Sequence, residues 1–202
     1  MRSYSLFAAG LLGISVCLVS GIISGSAAAD SSLNPAEFAL AAPGTIIEGR
    51  LQDGTQTKAR VGEAGDFTYT YTDLVEDHGR RTRYHFCYRC DPKAFPIELE
   101  RYRDLWPLEV GNSVKFQRRR ASDGVVWIHK IKVVGTETVG TELGPIDAFV
   151  VKEKVRGSAG NKWRGAAKLW FAPSIKWVVK WEWWSTSDGT NTWEITAITP
   201  PG

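Results

Sequence analysis

The sequence predicts an all-β fold, built on a single curved antiparallel sheet or open half-barrel with at most one short helix. Residues Ile175–Trp184 carry the clearest pattern, because their odd positions are all apolar and most of their even positions are polar. A period of two places alternate side chains on opposite faces of a strand. Turn pairs such as Asp53-Gly54 and Asp188-Gly189 separate segments of this kind, which predicts antiparallel hairpins.

About nine strands and one helix are expected along the chain. Aromatic residues alternate with threonine over 67–72, which is typical of a half-buried strand. The helical segment begins at Pro96, which suits the first turn of a helix, and ends before Pro107. The expected strands cover residues 45–51, 67–72, 83–89, 113–119, 126–134, 148–155, 163–171, 175–184 and 192–199.

The N-terminal residues have the composition of a secretory signal peptide. Arg2 is the only charged residue before Asp30, and an apolar run ending in small residues lies between them. We expect a signal peptide over residues 1–29, cleaved near Ala28 or Ala29, with an uncleaved anchor as the alternative. A poorly ordered lead over 30–44 and one all-β domain over 45–202 would follow. This organisation predicts a periplasmic or secreted bacterial protein whose mature form does not span a membrane.

Charge gives little indication of a partner. The net charge of the full chain is +3, and the basic run Arg118–Arg120 is interpreted as a solvated strand end and turn. Export also argues against nucleic acid, so the partner classes left open are an envelope lipid, a glycan or a protein.

Cys87 and Cys90 are separated by two residues, a spacing that fits several kinds of site. Asp91 follows Cys90 where attached haem would require histidine. The favoured interpretation is a structural disulfide, because the compartment is oxidising. A redox-active pair stays open as one alternative. Metal binding with His78 and His85 is a second, although the prediction is that the protein has neither a metal nor a cofactor.

The alternation over residues 83–89 assigns the side chains of this predicted strand to two faces. Tyr84, Phe86 and Tyr88 share one face, while His85 and Cys87 share the other. A surface histidine beside the disulfide is therefore expected at position 85.

Tryptophan is concentrated near the C-terminus, where the sequence holds most of its nine tryptophans. The alternating pattern assigns Trp177, Trp181 and Trp183 to the core and leaves Trp184 on the polar face. The candidate ligand-binding residues are Trp184, Trp127 and Trp170. Serine, histidine and acidic residues form none of the hydrolase motifs, so no catalytic residue is predicted.

Two segments resemble exported bacterial proteins of unknown function related to the DUF3108 group. The first is Leu105–Val114, which reads LWPLEVGNSV; the second runs from Gly144 through Leu169–Lys180, which reads LWFAPSIKWVVK. The resemblance covers roughly residues 105–198. It implies a long curved antiparallel sheet and supplies no catalytic residue.

The predicted function is that of a non-enzymatic envelope protein, which binds a lipid, glycan or peptide on a curved sheet lined by aromatic side chains. The alternative is a thiol–disulfide oxidoreductase that uses Cys87 and Cys90. A hydrolase assembled from distant residues is a third hypothesis.

Overall fold

The computed structural model describes residues 33–75, 79–87, 90–94, 96–158 and 160–202. The predicted signal peptide and His78 lie outside these residues. Ten strands and one helix form the fold: β1 Ile46–Leu51, β2 Gln56–Ala64, β3 Thr68–Asp73, β4 Arg80–Tyr84, α1 Leu99–Arg103, β5 Ser113–Arg119, β6 Val126–Thr141, β7 Gly144–Gly157, β8 Arg164–Ala172, β9 Trp177–Ser185 and β10 Gly189–Thr199.

All ten strands belong to one antiparallel sheet, which confirms the all-β prediction. Their order is β4-β3-β2-β1-β10-β9-β8-β7-β6-β5. Strands β1 to β4 pair in consecutive order, and so do strands β5 to β10. The pairing of β10 with β1 joins these two groups into one sheet. Over the described residues the edge strands β4 and β5 do not pair, and the sheet stays open.

The connection between β4 and β5 has to cross the sheet, because these strands lie at opposite edges. We call this connection, residues 85–112, the cap. The cap contains α1, whose Tyr102 is buried. The backbone of Ile97, also in the cap, forms a β-bridge with Arg118 of the edge strand β5. The cap therefore covers one face of the sheet and supplies side chains to its core.

Two apolar clusters lie on opposite faces of the central strands. Phe149 and Val151 of β7 belong to the cluster under the cap, whereas Ala148 and Val150 belong to the second cluster. Since successive side chains of a strand point to opposite faces, β7 is buried on both sides at this point. The same alternation buries residues 169–172 of β8 on both faces, which explains their unbroken apolar run.

Residues 33–44, expected to be a poorly ordered lead, are packed against the domain. Ala36 exchanges two backbone hydrogen bonds with Leu108 of the cap, at 3.0 and 2.7 Å. The ring of Phe38 lies 4.9 Å from that of Phe67 and 5.2 Å from that of Trp106. These contacts attach the lead to the cap.

Two strand predictions need correction. β2 was not predicted, because its mostly polar sequence buries only Val61. The strand expected over 83–89 ends at Tyr84, and the chain turns there. Phe86 has a φ of 47°, a left-handed conformation that costs about 1–2 kcal/mol in a residue with a side chain. Its ring packs against Trp106 and Phe171, which offsets this cost.

Candidate functional site

An aromatic cavity of about 180 Å³ lies between strands β3 and β4, at one end of the sheet, and the central strands β8 and β9. The sheet curves enough for Tyr69 of β3 to meet Trp177 at the start of β9, with ring centroids 5.0 Å apart. This contact joins strands that are four positions apart in the sheet. The aromatic residues that line the cavity are Tyr69, Tyr71, Tyr84, Phe86, Trp177, Trp181, Trp183 and Trp193.

His85 is the most unusual polar residue in the cavity wall. Its side chain is buried, with the residue 2% exposed, and neither ring nitrogen has a hydrogen-bond partner among the described residues. Aromatic rings surround it, the nearest being Phe86 at 4.8 Å and Phe171 at 5.1 Å. Burial lowers the pKa of His85 to about 3, so its imidazole is neutral at ordinary pH.

The buried position of His85 corrects the prediction of a surface histidine. Because β4 ends at Tyr84, the residues that follow do not alternate between two faces, and His85, Phe86 and Cys87 are all buried. The hydroxyl of Tyr102 donates a hydrogen bond of 2.8 Å to the carbonyl oxygen of His85. This bond ties the turn to helix α1.

A second group of polar residues lies next to the cavity. Cys87 and Cys90 form a disulfide with Cα atoms 5.3 Å apart, as the sequence predicted. The Sγ atom of Cys87 lies 3.9 Å from Nδ1 of His129, and the same nitrogen lies 2.6 Å from Oε1 of Glu153. We call these four residues the buried cluster. Cys87 and Glu153 also form part of the cavity wall.

Neighbouring strands position the two sheet residues of the cluster. His129 of β6 pairs with Val155, and Glu153 of β7 pairs with Ile131, so the two side chains are diagonal neighbours on the face under the cap. The imidazole of His129 also stacks on Phe116 of β5, at 5.0 Å and 7° between the planes. The rigid sheet thus fixes His129 and Glu153, while the cap brings the cysteines to them.

The sequence could have indicated Glu153. It occupies a core-facing position in the alternation of Phe149, Val151 and Val155, and an acidic residue there is rarely buried without a function or a partner. No local pattern links it to the cysteines, because that contact depends on the path of the cap.

The three tryptophans predicted to bind a ligand lie in different environments. Trp184 is 44% exposed and lines a shallow depression on the face away from the cap, with Ala166. Trp127 stacks under the guanidinium of Arg118, at 4.7 Å. Each of these two stays a candidate surface contact.

Trp170 is buried in the second cluster, only 4% exposed. Its indole donates a hydrogen bond of 2.7 Å to Glu137, and the ammonium of Lys168 lies 4.3 Å from its ring centroid. Burial and these contacts argue against a role of Trp170 in ligand binding.

The redox hypothesis requires an accessible sulfur atom. Cys87 is 2% exposed and Cys90 is fully buried. Thiol–disulfide exchange proceeds by direct attack on a sulfur, so burial of both sulfurs favours the structural role of this disulfide.

Among the described residues, no helix is long and apolar enough to cross a membrane.

Comparison with known proteins gives structural neighbours only. No family model matches the chain, and no curated protein matches it. Membership of the DUF3108 group therefore stays a prediction.

Three solved structures have a similar fold. One is the hypothetical lipoprotein YmcC from Escherichia coli (K12), with a TM-score of 0.49 and 11% identity over 79% of this chain and 86% of that one. The second is a protein with a YmcC-like fold from Bacteroides fragilis NCTC 9343, provisionally described as exported, with a TM-score of 0.45 and 17% identity over 81% and 99%.

The third is a protein from Parabacteroides distasonis ATCC 8503, provisionally described as a lipoprotein. Its TM-score is 0.45, with 13% identity over 83% of this chain and 100% of that one. At these levels of similarity we base no functional argument on the three neighbours.

Proposed function

We propose that this chain is an exported envelope protein that binds the apolar end of a small ligand, without catalysis, in the aromatic cavity beside His85. The observation that supports the proposal is a buried imidazole in the wall of an aromatic cavity, with no hydrogen-bond partner for either nitrogen among the residues that the structure describes. An unsatisfied buried polar group costs about 1–3 kcal/mol. Both nitrogens of His85 are buried, so a ligand would recover that cost after a shift of the surrounding rings opens one nitrogen to the cavity.

The size of the cavity limits what it can hold. An apolar protein cavity of about 150 Å³ accommodates benzene. The cavity here, about 180 Å³, therefore suits one aromatic ring or the end of an acyl chain with one polar group. A whole sugar fits poorly, because the surface of the cavity wall is mainly apolar and would leave most of its hydroxyls without a partner. Of the lipid, glycan and peptide classes, the geometry thus favours a lipid-like or aromatic group.

The protonation state of His85 determines which polar group of a ligand can hydrogen-bond to it. A neutral imidazole offers one N–H donor and one acceptor nitrogen. A hydroxyl can both donate and accept, whereas a carboxylate only accepts. Of the two charged residues in the cavity wall, Glu153 would repel a carboxylate, and Arg83 is already paired with Asp91 at 3.3 Å. We therefore expect an alcohol or phenol to bind more tightly than the matching carboxylate.

The test is a titration of the protein with benzyl alcohol, with toluene, benzoate and glucose as comparison ligands. Binding is measured from the indole N–H signals of tryptophan in NMR spectra. Ligands of this size bind in the micromolar to millimolar range. The expected order of affinity is benzyl alcohol, then toluene, then benzoate, with no binding of glucose.

Ala167→Met locates the site, because Ala167 lines the cavity and a larger side chain would fill it. Ala166→Met is the matched control, since Ala166 is the next residue on β8 and lies on the other face beside Trp184. We expect Ala167→Met to abolish binding and Ala166→Met to leave it unchanged. The opposite result, or loss of binding in Trp184→Ala alone, would place the ligand on the outer face and contradict the proposal.

A further inference from the structure

Four side chains of the metal-ligand type meet in the buried cluster. The ligand atoms of Cys87, Cys90 and His129 lie within 4.8 Å of one another, and all three residues are buried. The carboxylate of Glu153, also buried, contacts the same imidazole nitrogen that faces Cys87. Cysteine thiolates, histidine and carboxylates are all ligands of tetrahedral Zn²⁺, and two cysteines separated by two residues have a spacing found in zinc sites.

We propose that the buried cluster binds one Zn²⁺ when its cysteines are thiols, so that it has two mutually exclusive states, a zinc site and a disulfide. The disulfide excludes the metal, because neither sulfur is then a thiolate and the thiolate is the form of cysteine that binds metals. This inference does not rest on the proposed ligand-binding function, although Cys87 and Glu153 also line the cavity.

The distances require little rearrangement. With Zn–S bonds of about 2.3 Å and Zn–N bonds of about 2.0 Å, a tetrahedral site separates sulfur from nitrogen by roughly 3.6 Å. The corresponding distance from Cys87 to His129 is 3.9 Å. The cysteine Cα atoms, 5.3 Å apart, suit a disulfide and also allow free sulfurs about 3.8 Å apart, the spacing of two thiolates on one zinc.

The environment of Glu153 favours a cation. A carboxylate removed from water is costly unless an opposite charge or hydrogen-bond donors compensate for it. Glu153 is 2% exposed, and over the part of the chain that the structure describes its one hydrogen-bond partner is Nδ1 of His129. Coordination to Zn²⁺ would supply the compensating charge directly. The carboxylate oxygen would move away from that nitrogen to roughly 3.3 Å, the spacing of two ligands on one zinc.

The chemistry balances without a reductant, because a newly made chain carries both cysteines as thiols. Zn²⁺ binding forms two Zn–S bonds and releases the two thiol protons. In the competing reaction, an envelope disulfide oxidant takes two electrons and two protons from the thiols. The S–S bond then forms, and the oxidant leaves as a dithiol. The state of the cluster therefore depends on which partner reaches the thiols first.

The experiment compares the oxidised protein with protein whose cysteines are kept reduced under anaerobic conditions. Each sample is mixed with Zn²⁺, freed of unbound metal by gel filtration and assayed for zinc by mass spectrometry. Co²⁺ is used as a spectroscopic probe in parallel, because cobalt thiolates give an intense charge-transfer band. We expect close to one metal per reduced chain, a cobalt–thiolate band, and no metal in the oxidised protein.

Two variants test the ligand set. Glu153→Gln keeps the size of the side chain and removes its charge, and we expect zinc affinity to fall at least about tenfold. Asp91→Asn is the matched control, because this carboxylate follows Cys90 in the chain and lies outside the cluster. Its zinc affinity should equal that of the wild type.

Several results would overturn the proposal. They are reduced wild-type protein that binds no zinc, a cobalt complex without the thiolate band, and equal zinc affinity in Glu153→Gln and the wild type. If reduction unfolds the protein, zinc should restore its native circular dichroism, and failure to do so also counts against the site. If Glu153→Gln does not fold, the cobalt spectrum of the wild type decides.

Discussion

Acidification should destabilise this protein through His85 in a pH range where few other groups titrate. Its imidazole is buried among aromatic rings, and burial lowers its pKa to about 3. In the unfolded chain the same group titrates near pH 6.5. The unfolded state therefore takes up a proton below about pH 6.5 while the folded state stays neutral, so stability is complete above that pH and falls toward pH 3.

The expected loss can be worked out from these two pKa values. Between pH 7 and pH 5 the linkage relation gives a decrease of about 2 kcal/mol in the free energy of unfolding. The perturbation that isolates this effect is His85→Leu, which has a similar volume, is apolar and cannot titrate. Carboxylates with lowered pKa values, such as Asp91, lose stability in acid too, but they contribute equally to both proteins.

The assay is urea unfolding of the wild type and His85→Leu at pH 7 and pH 5, with the disulfide intact. The wild type should lose about 2 kcal/mol more than the variant between the two pH values. An imidazole NMR titration of the wild type should show no His85 transition near pH 6.5. Equal pH dependence of the two proteins, or a transition of His85 near its ordinary pKa, would refute the reasoning.

Two further predictions concern the second apolar cluster and its edges. Gly49→Ala should destabilise the protein by about 1–3 kcal/mol in urea unfolding, because a Cβ there would lie 2.2 Å from the indole of Trp193. Gly140→Ala is the control and should change stability little, because an added Cβ there would have no atom within 4 Å apart from those of the adjacent residues in the chain. Glu137→Ala should cost about 0.5–1.5 kcal/mol by removing the hydrogen bond to the indole N–H of Trp170, and an unchanged midpoint would contradict this.

The sequence predicts the fold well because the sheet follows local patterns. Alternation and turn pairs identified nine of the strands at least in part, including the tryptophan-rich strand β9. Strand β2 escaped prediction, because its residues are half exposed on both faces and give no amphipathic signal. Its strand conformation comes from hydrogen bonds to β1 and β3 on either side, which are tertiary contacts.

The candidate site was much less predictable, since it depends on contacts between distant parts of the chain. Cys87 and His129 are 42 residues apart, and His129 and Glu153 are 24 apart. The disulfide was predictable from spacing and compartment, but the histidine beside it was not the one expected. The alternation predicts His85 on an exposed strand face, whereas β4 ends at Tyr84 and the chain turns through the left-handed backbone of Phe86, so His85 is buried.

The cap explains why two polar features occur in one apolar core. It leaves β4 at one edge of the sheet and must reach β5 at the other, so its first residues are forced under the sheet face before helix α1 begins. His85 and Cys87 lie on this short entering turn, two residues apart, and each adds a polar group to the core. Because Cys87 and Glu153 belong to both the cavity wall and the buried cluster, a change in the state of the cysteines alters the cavity wall directly. The two proposed sites are therefore adjacent, and both depend on this turn.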